Sequence, residues 1–172
     1  MKTTNYSSII IYIRSGLTKT GIGGEDGSRN KFNSIVGIPK MPGFKVGIEQ
    51  KERYAGDEAI SNLEFMNLFP PIQCGEVVDW DKFEILMCYL LYNQIEAVPE
   101  EMSVLVNETP LSSKDNRSKI SEMFFRKFNI EKRHIWNSSI LGLFAYGKTS
   151  GIVVNSGFNI TSIVPIYESF PL

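Results

Sequence analysis

Ile9-Ile10-Ile11-Tyr12-Ile13-Arg14-Ser15-Gly16-Leu17-Thr18 reads as an apolar strand, a tight Ser-Gly turn and the start of a return strand. The plan recurs near the other end, at Gly151-Ile152-Val153-Val154-Asn155-Ser156-Gly157-Phe158-Asn159-Ile160-Thr161. Runs of β-branched residues broken by Ser-Gly are a hairpin signal, because such side chains fit a pleated surface and glycine permits the turn. Turns of this kind can present successive backbone N–H groups to an anion. Hairpins with Ser-Gly turns are also common, so the pattern alone leaves an ordinary hairpin and an anion cradle both open.

Between the two hairpins the pattern alternates between strand and helix, which defines an α/β chain. Ser8–Arg14 and Leu17–Thr20 form the first hairpin, and Phe32–Val36 reads as a further strand. Gly37 to Tyr54, with Pro39, Pro42, Gly43 and Gly47, is too broken for a helix and reads as a small lobe with a mobile loop. Asp79 can cap a helix whose apolar residues Trp80, Phe83, Leu86, Met87, Leu90 and Leu91 recur at spacings of three and four. Ser103–Glu108 reads as a short buried strand. Ser112 or Ser113 opens a second helix with Ile120, Met123, Phe124 and Phe128 on one face. A third, short helix covers Asn137–Tyr146 and stops at Gly147. Gly151–Asn155 and Asn159–Val164 read as closing strands.

Composition narrows the classes. The 172 residues carry 18 Lys+Arg against 19 Asp+Glu, a net charge of −1, and 42% are hydrophobic. That is enough apolar surface to offset chain entropy, which excludes disordered and low-complexity classes. The even charge argues against a nucleic-acid binder held by phosphate contacts. The basic group Arg126, Lys127, Lys132 and Arg133 reads as a solvated face. No segment approaches the ~18 apolar residues that span a bilayer, and Ile9–Ile13 is too short for a signal-peptide core, so no membrane partner is expected. Cys74 and Cys88 have neither zinc nor disulfide spacing and read as buried or inert thiols. The lone His134 reads as structural or exposed.

Several longer strings carry a resemblance. Phe32-Asn33-Ser34-Ile35-Val36-Gly37, Tyr54-Ala55-Gly56-Asp57-Glu58-Ala59, Val98-Pro99-Glu100-Glu101, Gly147-Lys148-Thr149-Ser150-Gly151-Ile152-Val153 and Val164-Pro165-Ile166-Tyr167-Glu168 follow one another at matching spacing. Together they resemble the first half of actin, from about Ile9 to the C-terminus. The resemblance implies an actin-like ATPase-domain fold, a ribonuclease-H-like lobe with a mixed sheet flanked by helices. By resemblance, residues 1–33 and 70–145 form the first subdomain and 34–69 the second, with a polymer-contacting loop at 40–49. Residues 146–172 begin the third, which is incomplete, so the chain resembles a truncated member.

The family binds ATP with Mg²⁺ between two lobes and assembles into filaments. Carried over residue by residue, Ser15, Gly16, Leu17 and Lys19 match the first phosphate hairpin, and Ser156 and Gly157 the second. The departures fall on charge. Tyr12 and Asn155 stand where the family has the aspartates that orient hydrated Mg²⁺, and Arg14 stands where glycine lets the backbone approach. Phe158-Asn159 replaces an Asp-Gly pair. Ser138 matches the glutamine that positions water, and Ser162 its assisting histidine. The expectation is therefore no catalytic residue, no metal ligand, a vestigial nucleotide site, and ATP with Mg binding weakly or not at all.

Filament contacts are better preserved. Met41, Phe44, Val46 and Ile48 carry the apolar tip of the polymer loop, and Phe144, Gly147 and Thr149 match positions lining the cleft that receives it. The partners this implies are actin or actin-binding proteins, and the implied location is the cytoplasm and its cytoskeleton. The family's acidic N-terminal run is replaced by Met1–Ser8, which has no acidic residue. Apolar surface on the second and third helices is expected to be left exposed.

Overall fold

A computed structural model describes residues 8–41, 51–96 and 98–172. Chain order is β1 (Ile9–Tyr12), β2 (Leu17–Ile22), β3 (Asn30–Asn33), β4 (Val36–Pro39), β5 (Tyr54–Ala55), α1 (Asp57–Ser61), β6 (Met66–Phe69), β7 (Ile72–Gln73) and β8 (Glu76–Val77). Then follow α2 (Trp80–Cys88), β9 (Ser103–Glu108), α3 (Lys114–Arg126), β10 (Lys132–Asn137), α4 (Ser138–Ala145), β11 (Gly151–Ser156), β12 (Thr161–Tyr167) and β13 (Phe170–Pro171). This is the mixed α/β architecture expected of a partial actin-like domain.

The main sheet has the order β10-β9-β1-β2-β3. β9 runs parallel to both β1 and β10, whereas β1–β2 and β2–β3 are antiparallel. Parallel strands need both faces covered, and SVLVNE in the interior strand β9 meets that need with Val104 and Val106 nearly inaccessible. The core gathers Ile9, Ile11, Phe83, Leu86, Leu90, Phe124 and Ile130. The helix spacing anticipated this face: Phe83, Leu86, Met87, Leu90 and Leu91 are all fully buried. After Cys88 the helix widens into a π-type turn over Tyr89–Gln94, which carries Leu90 and Leu91 into the same core.

Capping residues lie where the sequence put them. The Asp79 carboxylate accepts the Lys82 N–H at 3.1 Å, and Ser113 Oγ accepts the Asn116 N–H at 3.2 Å. The Lys82 ammonium beside Asp79, together with its backbone N–H, holds that carboxyl below the ordinary range. A carboxyl whose pKa falls on folding stabilises the protein above its unfolded pKa and loses that contribution as pH drops through the folded one. Asp79→Ala is therefore expected to cost about 1 kcal/mol near neutral pH. The deficit should narrow in acid, and melting curves of both proteins from neutral pH to about pH 3 check it.

Three expectations need correction, and one strand was not anticipated. The single strand Phe32–Val36 is two strands, β3 and β4, in different sheets. Ser34 leaves the ladder between them: its N–H donates to the Gly16 carbonyl at 3.2 Å and its hydroxyl pairs with Thr18 at 2.8 Å. Lys132 and Arg133 belong to a strand, β10, whose alternating exposed positions hid its single fully buried residue, Ile135. The strand expected at Asn159–Val164 begins later, at Thr161, and continues to Tyr167, because residues 157–160 form the turn, and the short β13 follows it. Cys74 is exposed, being lifted to the surface by a tight turn, and Cys88 is half-buried; both thiols are free. His134 is exposed on β10, its ring 4.8 Å from that of Trp136.

A separate three-stranded sheet has the order β5-β4-β6. Phe44, Val46 and Ile48, with the rest of 42–50, lie outside the described residues, as does most of Met1–Ser8. Met41 is described and exposed. The exposure expected on the helices falls on Phe125 in α3 and Phe144 in α4.

Candidate functional site

The parallel arrangement of β1 and β9 fixes the first hairpin. Where β1 ends, the Asn107 side chain from β9 accepts the Ile13 N–H and donates back to the Ile13 carbonyl at 3.0 Å. Asn107 is 5% exposed, so this clamp operates away from water and holds the turn at Arg14–Gly16 against the sheet. A second restraint is the Gly75 N–H, which donates to Ser15 Oγ at 3.3 Å. Gly75 sits at φ +81° in the β7–β8 turn, and a Cβ there would fall 2.1 Å from Thr109 Cγ2. The turn needs glycine on both counts.

The second hairpin, β11–β12, closes through the Gly157 N–H donating to the Ile160 carbonyl at 2.9 Å. It rests on α4. Asn137 caps that helix through the Ser139 N–H at 2.8 Å, and the Asn155 amide donates to Ser139 Oγ at 2.9 Å. Gly147, at φ +68°, ends the helix as expected.

The two turns face each other. Ser15, Gly16, Leu17, Lys19, Ser156 and Gly157 all line one cavity of about 750 Å³, together with Tyr12, Arg14, Asn155 and Phe158. The tips also touch. Phe158 lies against Gly16, where an added Cβ would meet it at 3.2 Å, and Arg14 reaches across so that a Cβ on Gly157 would lie 3.4 Å from its Nη1. Arg14 is held by Tyr12: its Nε donates to the phenol oxygen at 2.9 Å, Nη2 donates to the same atom, and the guanidinium stands 5.1 Å from the ring centre.

The resulting electrostatics are one-sided. Among the described residues, Arg14 and Lys19 are the charged ones lining the cavity, and no carboxylate does so. Mg²⁺ keeps several waters and is held through one or two carboxylates. Here the Tyr12 hydroxyl is engaged by a cation and the Asn155 amide by Ser139, so the residues present do not fit the metal. Among the described residues no group of three or more His, Cys, Asp or Glu could hold a metal ion. Ser138 is 3% exposed, its Oγ has no hydrogen-bond partner among the described residues, and it does not line the cavity.

Phe144, Gly147 and Thr149 cluster at the exposed end of α4, where the Gly147 N–H donates to Phe144 O at 2.8 Å and Thr149 O accepts from Ser169 N at 2.7 Å. Three contributors escaped the sequence reading: the Asn107 clamp, the mutual hold of Tyr12 and Arg14, and the seat of Phe158 on Gly16. Only the first had a signal, a polar residue inside the apolar run SVLVNE.

An α/β lobe with two apposed Ser-Gly hairpins over a cleft defines the class, and comparison with known proteins gives the family. A family model described as Actin matches residues 3–172. Actin-like protein 7A of Macaca fascicularis and that of Homo sapiens are each 36% identical over 165 residues, covering 96% of this chain and 38% of theirs. The chain belongs to the actin family, and it spans about 38% of the length of these relatives.

Proposed function

We propose that this chain is an actin-like interaction protein of the cytoskeleton that does not hydrolyse ATP. The observation that carries the reading is the guanidinium of Arg14, held on Tyr12 and directed at Gly157, in a cleft that no carboxylate lines among the described residues. Hydrolysis of a nucleoside triphosphate needs the developing charge to be neutralised and a water to be positioned. The first of these tasks has no metal-holding group here, and Ser138 is buried away from the cleft. Family membership over residues 3–172 supports the cytoskeletal assignment, and the exposed Phe144, Gly147 and Thr149 are the contacts to test first. No helix among the described residues is long and apolar enough to cross a membrane.

A second reading is an ATP-binding filament subunit of weak residual affinity. It is favoured by one fact, that Ser15, Gly16, Lys19 and Gly157 still line a common cavity. Co-sedimentation separates the two. The purified chain should pellet with preformed actin filaments equally in ATP, in ADP and with magnesium chelated. Phe144→Asp should raise the dissociation constant read from the pelleted fractions at least about tenfold, equivalent to ~1.4 kcal/mol. A chain that pellets only with Mg-ATP would favour the filament subunit, and one that never pellets would refute both.

A further inference from the structure

Gly75 and Gly147 have the positive φ that calls for glycine, whereas Gly16 and Gly157, at the tips of the two hairpins, do not. What each tip lacks is space. A Cβ on Gly16 would meet Phe158 Cβ at 3.2 Å and Cγ at 3.3 Å, and a Cβ on Gly157 would meet Arg14 Nη1 at 3.4 Å. The relation is reciprocal. Arg14 of the first hairpin covers the second turn, and Phe158 of the second hairpin covers the first. The Gly157 N–H is also spent inside its own turn, on the Ile160 carbonyl at 2.9 Å. The place an anion would take before each Ser-Gly turn thus holds a side chain of the opposite hairpin.

The two covers are held differently. Phe158 is 86% exposed, so it meets Gly16 by one edge and burial contributes little to closing the tips. Arg14 is half-buried and aimed. Its Nε and Nη2 donate to the Tyr12 phenol oxygen, which leaves Nη1 on the side of Gly157. A planar guanidinium fixed through two of its nitrogens has little freedom left for the third. Each turn also has its own anchor. Ser15 Oγ accepts the Gly75 N–H and the Gly16 carbonyl accepts the Ser34 N–H, while the Asn155 amide donates to Ser139 at the start of α4.

We propose that Arg14 is a latch: carried on Tyr12, it holds the first hairpin against the second and keeps the tips of the cleft together without a nucleotide. The proposal rests on the reading of a cleft that does not use Mg-ATP, and it explains how such a cleft keeps its shape. The residues present do not fit Mg²⁺, and the cation at the tips belongs to the chain itself. Through Asn155 and Ser139 the latched turn is tied to α4, whose far end carries Phe144. The partner-facing end of that helix is therefore set in the same way with and without nucleotide.

Disulfide trapping in the whole chain tests this. Gly16→Cys with Phe158→Cys brings two Cβ atoms to a separation close to the ~3.8 Å of a disulfide. Cys74, which is exposed and adjacent to the Gly75 contact, is replaced by serine so that it does not compete. Under oxidised glutathione, which takes up the two electrons and two protons as the thiols join, the pair should close at the same rate with Mg-ATP and with chelator. Adding Arg14→Ala should slow closure at least about tenfold, the effect of lowering the latched population by that factor. Tyr12→Phe, which removes only the oxygen that aims the guanidinium, should slow it in the same direction, with a cooperative melt confirming the fold. Cross-linking that fails, that needs Mg-ATP, or that runs unchanged in both Arg14→Ala and Tyr12→Phe overturns the latch. Phosphate release by a chain that still cross-links equally in both conditions would refute the non-hydrolysing reading and support the latch.

Discussion

Replacing Gly75 by alanine is expected to lower the unfolding midpoint by about 6–16 °C, the equivalent of ~3–4 kcal/mol in a chain of this size. Two costs combine. The residue sits at φ +81°, where a side chain is strained by ~1–3 kcal/mol. The new Cβ would also fall 2.1 Å from Thr109 Cγ2, 2.8 Å from its Oγ1 and 2.9 Å from its Cβ. Thr109 is β-branched and 8% exposed, so it cannot rotate out of the way. Thr109→Gly removes all three atoms. Combined with Gly75→Ala it should recover the steric part relative to Thr109→Gly alone and leave the strain. A thermal-melt cycle of the four proteins reads this directly. An additive double mutant would show that the β7–β8 turn yields and that Thr109 does not confine it. Because the Gly75 N–H also donates to Ser15, the same substitution should loosen the first hairpin.

The second large effect concerns the metal. Calorimetric titration of the wild-type chain with ATP should give the same weak affinity, or the same absence of binding, with Mg²⁺ and with chelator. Tyr12→Asp, Arg14→Gly and Asn155→Asp together should make binding magnesium-dependent and strengthen it by about 10²–10⁴-fold. That is the worth of two charge-assisted bonds at ~1.5–3 kcal/mol each. The triple variant removes a cation from the cavity and adds two carboxylates, inverting the local charge. Phosphate release should nevertheless remain at background, because Ser138 stays buried and outside the cleft. Magnesium-dependent ATP binding by the wild type would defeat the charge argument. Hydrolysis by the triple variant would show that the water-positioning deficit is not limiting.

Much of this molecule was legible in its residues, for identifiable reasons. Helix faces were readable because Phe83, Leu86, Leu90 and Phe124 bury at the period of the backbone itself. Caps at Asp79 and Ser113 were readable because a short polar side chain before an apolar run has one local task, whereas Asn137, read as the first helical residue, is itself a cap. β10 was not readable: alternate positions hold Lys132, His134 and Trp136, and the inward row begins with the half-buried Arg133, whose guanidinium lies over the Phe125 ring. Its strand character is imposed by parallel pairing to β9. The break at Ser34 was hidden for the same reason, since a hydrogen bond to Gly16 in the turn of the first hairpin decides it.

Sequence alone determined the family and the losses of charge, because identities such as Tyr12, Arg14 and Asn155 do not depend on where the chain goes. Local chemistry also settled most helices and the two hairpins. Tertiary structure decided the rest. It brought turns more than a hundred residues apart over one cavity, turned Arg14 onto Tyr12 and toward Gly157, and seated Phe158 on Gly16. These outcomes rest on distances between segments remote along the chain, which only packing sets.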